Sequence, residues 1–177
     1  MTQAHAAPVT DPENTLYLYL KDGRVTIQMF PQQAPNHVAR IKELVREGYY
    51  NGKLWHRVIE GFMAQTGSPN GDGLGGSSKP DLKAEFNAIS HVRGVASMAR
   101  TSSPDSANAQ FFIMLASNPS LDGQYTAWGE VTEGMQYVDA IKKGNPRDNG
   151  MVDQPDSIIK MTVAADEMQA AGKAAAK

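Results

Sequence analysis

A chain of 177 residues with 41% hydrophobic content can bury one good core, so a single domain with short tails is expected. Its net charge of −2 and pI near 6.1 give no electrostatic footprint for nucleic acid or an anionic membrane surface. The absence of cysteine excludes disulfides, thiolate zinc sites and cysteine nucleophiles, and no apolar run approaches the roughly 18 residues of a membrane span.

Residues 1–13 read as a flexible lead. Ala4-His5-Ala6 has the look of a signal-peptidase site, but the basic start and apolar stretch of a signal peptide are missing, so a cytoplasmic chain is expected. Leu16, Leu18 and Leu20 then alternate with Tyr17 and Tyr19, and Val25, Ile27 and Met29 alternate again after Asp22-Gly23, which predicts a β-hairpin. The stretch "PQQAPNHVARIKELVREG" predicts a helix. Pro35 suits its first turn, Val38, Ile41, Leu44 and Val45 line one face, and Gly48 stops it.

Short strands are predicted at 54–59, 62–67, 94–99, 110–115 and 125–131. A second helix follows in "EGMQYVDAIKKG", with Met135, Val138 and Ile141 on one side, and a last strand at 157–165. Residues 167–177 form an Ala-rich tail, weakly helical and, with Gly172 inside it, expected to fray. Two helices among seven or eight strands, with no regular strand–helix alternation, predict an antiparallel barrel.

The loop "GSPNGDGLGGSS" (67–78) places Gly71, Gly73 and Gly76 at the spacing of a dinucleotide fingerprint. That motif works only where a strand feeds the glycines into a helix whose N-terminus meets the pyrophosphate. Here "SSKPDLKAEFN" follows, with Pro80 interrupting, so the glycines are read as tight turns or as close backbone approach to a ligand. The four histidines, His5, His37, His56 and His91, lack a histidine partner at i+2 or i+4, and no GxSxG is present. A local metal site and a hydrolase triad therefore have little support. His56 reads as a buried or half-buried hydrogen-bonding residue.

Strand parity adds one further sign. In "QFFIML", Gln110 and Phe112 share a face while Phe111 and Ile113 take the other, so both faces carry large apolar groups. An aromatic beside a polar residue on the outer wall of a barrel suggests a recognition surface. In "WHRVI", the same alternation sets Arg57 beside Trp55 and Ile59.

The blocks "WHRVIEGFMAQTG", "GGS", "SMAR", "SANAQFFIML" and "LDGQYTAWGEVTEGM" resemble the cyclophilin family of peptidyl-prolyl cis–trans isomerases, in its bacterial cytoplasmic form, over residues 14–166. The resemblance implies a mainly β fold: an eight-stranded antiparallel barrel capped by two helices, with a peptide groove on its outer wall. It implies a cofactor-free, metal-free enzyme acting on Xaa-Pro bonds of protein clients. A proline-peptide binding module or holdase chaperone with little catalysis is the alternative. Matched residue by residue, it assigns Arg57, Phe62 and Gln65 to catalysis. It assigns His56, Met63, Gly73, Ala99, Arg100, Thr101, Gln110, Phe112, Leu121 and Tyr125 to substrate binding.

Some positions depart from the family. Trp55 replaces the usual Phe, Arg100 the Asn after "MA", and Tyr125 a position that is often His. The Arg100 contact is expected to run through the backbone. Ser120 stands where vertebrate members carry a tryptophan that touches cyclosporin, which implies weak binding of that drug. A monomer that binds neither nucleic acid nor membrane is expected.

Overall fold

The computed structural model describes residues 8–177; the leader-like Ala4-His5-Ala6 lies outside the described residues. The hairpin forms as predicted, with β1 (Thr15–Leu20) antiparallel to β2 (Gly23–Met29) and Leu20 registered opposite Gly23. Its alternating Leu16, Leu18, Val25, Ile27 and Met29 are all buried, as period-2 side chains on one face of a strand must be.

Helix α1 (Pro35–Arg46) buries Val38, Ile41, Leu44 and Val45. Its preceding residue, Ala34, has no capping side chain. Glu85 supplies the cap from a distant loop, accepting hydrogen bonds from the backbone N–H groups of Asn36 (3.2 Å) and His37 (2.8 Å). A carboxylate there satisfies two orphan donors and complements the helix dipole.

The remaining strands are β3 (Arg57–Ile59), β4 (Met63–Thr66), β5 (Val95–Met98), β6 (Phe111–Met114), β7 (Ala127–Glu133) and β8 (Lys160–Val163). Together with the hairpin they make one eight-stranded sheet in the order β3-β4-β6-β5-β7-β2-β1-β8, antiparallel throughout. The sheet curls until its two ends meet. Leu54 bridges Ser157, Trp55 N–H donates to the Asp156 carbonyl (2.9 Å), and Ile158 N–H donates to that of Lys53 (2.8 Å). This seam satisfies backbone groups that an open edge would expose.

Helix α2 (Met135–Asp139) is shorter than the predicted one. A third helix, α3 (Ala164–Ala175), takes over the end of the predicted last strand and most of the Ala-rich tail. Its first turn is docked: Glu167 accepts the Tyr19 hydroxyl (2.7 Å) and the Thr162 hydroxyl (2.9 Å), and Asp166 pairs with Arg46 (3.0 Å).

Two apolar clusters lie on opposite faces of the sheet. Inside, Phe111 meets Tyr50, Trp55 and Trp128 edge-on, with ring centroids 5.3, 6.2 and 5.4 Å away. Outside, Phe112 and Met114 pack with Met63, Val95 and Ala127. Trp55 corrects the parity reading, because it joins Phe111 in the interior whereas Arg57 faces outward. Regular strand geometry begins only at Arg57, so two-residue alternation does not extend back to Trp55.

Candidate active site

The outer cluster floors a cavity of about 360 Å³. Gly61, at φ +72°, turns β3 into β4 and delivers Phe62 and Met63 to one side. Phe112 enters from β6, while Leu121, on a single 3-10 turn (Pro119–Leu121), and Tyr125 close the other side. The Tyr125 ring meets Phe112 edge-to-face, with centroids 5.8 Å apart. Met63 and Phe112 are 1% and 5% exposed, so the floor is apolar and closely packed.

Arg57 stands on the rim, registered opposite Gln65 across β3 and β4. Its Nε donates to the Asn149 carbonyl (2.9 Å), its Nη2 to Asn149 Oδ1 (3.1 Å) and its Nη1 to Gln65 Oε1 (3.2 Å). Because a guanidinium only donates, Gln65 must turn its oxygen to Arg57 and its Nε2 onward, where Gln110 Oε1 accepts at 3.1 Å. Gln110 in turn donates to the carbonyls of Gly73 (3.0 Å) and Gly75 (2.9 Å). One polarised chain of hydrogen bonds therefore runs from Asn149 to the glycine loop. Burial lowers the Arg57 pKa from its ordinary value, while the guanidinium stays a cation at neutral pH.

The glycine loop forms the wall of a second cavity of about 520 Å³, which shares Gln65, Gly73, Ala99 and Arg100 with the first. Gly71, Gly73 and Gly75 all have φ between +71° and +82°, the left-handed region that glycine enters freely. Gly76 lies so close to Asn108 that a Cβ there would overlap its side chain. The glycines thus shape a backbone wall, and the chain after them runs to a strand, β5, rather than into a helix.

Thr101 and Gln110 line this second cavity and Ala99 borders both. The Arg100 side chain folds back rather than leaving only its backbone at the groove. It stacks over Tyr125 (4.7 Å to the centroid) and donates to the Gln124 carbonyl (2.7 and 3.0 Å). His56 is 2% exposed behind Gly73, buried as expected. Burial holds its pKa below the ordinary histidine value.

All thirteen residues assigned by the resemblance therefore border one groove. Sequence reasoning missed Asn149, Met151 and Asp72, which line it too. The Asn149-Gly150 dipeptide was the available signal: Asn tolerates the left-handed turn that it adopts here, at φ +51°. Among the described residues no group of three or more His, Asp or Glu is placed to hold a metal.

A family model for cyclophilin type peptidyl-prolyl cis-trans isomerases matches residues 15–163. The chain is 54% identical over 171 residues to a probable peptidyl-prolyl cis-trans isomerase of Brucella suis, covering 90% of this chain and 87% of that one. It is 37% identical over 133 residues to peptidyl-prolyl cis-trans isomerase B of Bacillus subtilis, covering 74% and 92%. Among solved structures, a cyclophilin from Hirschia baltica superposes with a TM-score of 0.79 at 27% identity, covering 88% and 76%. A Cryptosporidium parvum cyclophilin solved in the presence of the dipeptide Ala-Pro gives 0.77 at 25%, covering 84% and 98%. With the antiparallel barrel, the outer groove and these matches in agreement, the chain belongs to the cyclophilin-type peptidyl-prolyl cis–trans isomerase family.

Proposed function

We propose that the groove grips a proline ring in the apolar cavity and accelerates rotation of the preceding peptide bond by donating a hydrogen bond from Arg57 to the prolyl nitrogen. The chain is a peptidyl-prolyl cis–trans isomerase, and its chemistry requires no nucleophile. A peptide bond resists rotation by about 18–20 kcal/mol because its C–N bond has partial double-bond character. Rotation needs only that the nitrogen lose conjugation and become pyramidal.

One observation supports Arg57 most directly. Three of its five N–H donors hold it to Asn149 and Gln65, and 5 − 3 leaves two at the rim of an apolar floor. The nitrogen lone pair is available only in the twisted state, so this bond is stronger at the transition state than in either ground state. A preorganised donor beside an apolar floor adds to the difference.

The reading extends to Phe62, Met63, Phe112 and Leu121 as the proline pocket. Gln65, Gln110 and the backbone at Ala99–Thr101 hold the peptide, with His56, Gly73 and Tyr125 shaping the walls. Residues 14–166 act as the catalytic domain between two tails, in agreement with the family match over 15–163. Clients are Xaa-Pro segments of broad sequence, and cyclosporin binds weakly because Ser120 replaces an aromatic contact. The chain works as a cytoplasmic monomer without cofactor, metal, nucleic acid or membrane partner. Its charge of −2 supports the last two points, and no described helix is long and apolar enough to cross a membrane.

Two-dimensional exchange NMR on an Ala-Pro-Phe peptide tests the assignment. One charge-assisted hydrogen bond is equivalent to about a ten- to hundredfold change in rate. Arg57→Ala is therefore expected to slow exchange by that factor while peptide binding persists. Parallel loss of binding and exchange would refute the role given to Arg57. Peptide shifts without accelerated exchange in the wild type would leave a proline-binding module.

A further inference from the structure

Between the two cavities stands a cation that proline capture does not use. Arg100 borders both, as Gln65, Gly73 and Ala99 do. Its guanidinium is fixed in place: Nε and Nη2 donate to the Gln124 carbonyl (3.0 and 2.7 Å), and Nη1 donates to the Thr101 carbonyl (2.9 Å). The Tyr125 ring backs it at 4.7 Å. Of its five N–H groups, 5 − 3 leaves two unused, one on each terminal nitrogen.

Each of these acceptors is a neutral carbonyl. Ion pairs among the described residues hold Arg46 to Glu13 and Asp166, and Arg93 to Asp139, but none includes Arg100. The groove's own carboxylates are engaged elsewhere. Asp72 Oδ1 accepts the Leu74 N–H (2.9 Å) and the Ser68 hydroxyl (3.2 Å), and Asp81 Oδ1 accepts the side-chain amide of Asn108 (3.0 Å). Lys79, the other cation of the second cavity, pairs with Glu43 (2.9 Å) and Glu47 (2.8 Å). A rigid, half-exposed guanidinium with donors to spare suits a carboxylate carried by the groove's occupant.

We propose that Arg100 is a specificity-determining residue that makes the enzyme favour acidic residues immediately before proline. This rests on the placement of the proline ring in the apolar cavity with its nitrogen at Arg57. The preceding residue is bonded to that nitrogen, and Gln65, which Arg57 touches, lines both cavities. That residue therefore lies at the junction of the cavities, where Arg100 stands. Arg100 on its side chain and the apolar pocket on the proline ring would hold the two sides of the rotating bond separately. An exposed ion pair contributes little, so the preference is a bias of about two- to fivefold within a broad range of clients.

The test measures acceleration of exchange, at subsaturating peptide, for end-blocked Ala-Glu-Pro-Phe and Ala-Gln-Pro-Phe, which match in shape and differ in charge. Wild type is expected to accelerate the Glu peptide about two- to fivefold more. The ratio should approach one in about 1 M salt, where charges are screened within ~3 Å. Arg100→Gln is expected to bring the ratio to about one at low salt, and Arg100→Glu to invert it, which loss of a merely structural contact would not do. Each ratio is taken within one enzyme, so a general loss of activity in a variant leaves it readable, and the wild-type salt series decides the matter if a variant does not fold. Equal acceleration of both peptides by wild type, a ratio indifferent to salt, or a ratio retained in Arg100→Gln, which would assign the carboxylate to Arg57, would each overturn the proposal. Acceleration of neither peptide would instead remove the proline pocket itself, and the inference with it.

Discussion

Asn149 holds two of the three donors that fix Arg57, one through its carbonyl and one through its side chain. The two contributions separate cleanly. Asn149→Gly keeps the carbonyl and suits φ +51°, so it removes only the Oδ1 contact. Exchange is expected to fall about three- to tenfold, the equivalent of ~0.7–1.4 kcal/mol from one hydrogen bond, with peptide Kd and melting temperature almost unchanged. Unaltered exchange would show that the side chain contributes nothing to the arginine's aim. At this scale the sequence was legible wherever a side chain sits in a recognisable block, and all thirteen such residues border the groove. Asn149 was not, because its role arises from a left-handed backbone and a contact 92 residues away in the chain.

Among the elements, α1 makes folding depend on pH. His37, fully buried on this helix, donates from Nδ1 to Glu85 (2.6 Å), and its Nε2 has no partner among the described residues. Burial outweighs the neighbouring carboxylate and holds the His37 pKa below its ordinary value; His56 shifts in the same direction. The unfolded chain therefore binds protons that the folded chain refuses. This stability is fully present above the unfolded histidine pKa of about 6.5 and is lost as pH falls toward the folded values. The urea midpoint is expected to drop between about pH 7 and about pH 5, and His37→Gln should make that slope shallower by up to about one proton. An unchanged slope in the variant would show that His37 takes up its proton equally in the folded and the unfolded chain. Hairpin, strand and α1 positions were readable from apolar spacing, whereas the Glu85 cap was not, because it comes from a loop 48 residues farther along the chain. Helix α3 was underread because propensity alone does not hold so short a helix; Tyr19 and Arg46 supply the docking.

For the molecule as a whole, the core is complete before α3 leaves it. Ala164 is the only buried residue of that helix, and Met168 beyond the docked turn is 44% exposed. Ending the chain after Glu167 is expected to change stability by no more than about 0.5 kcal/mol and to leave exchange untouched; a larger loss would mean that the distal turns also hold the barrel. The seam itself is another matter. It joins residues 53–55 to residues 156–158, and the loop that aims Arg57 comes shortly before the second of these segments. During synthesis, then, the ribosome has made most of the protein before the donor acquires its anchor or the sheet finds its last partner. Activity is therefore expected to arrive with the closing of the barrel.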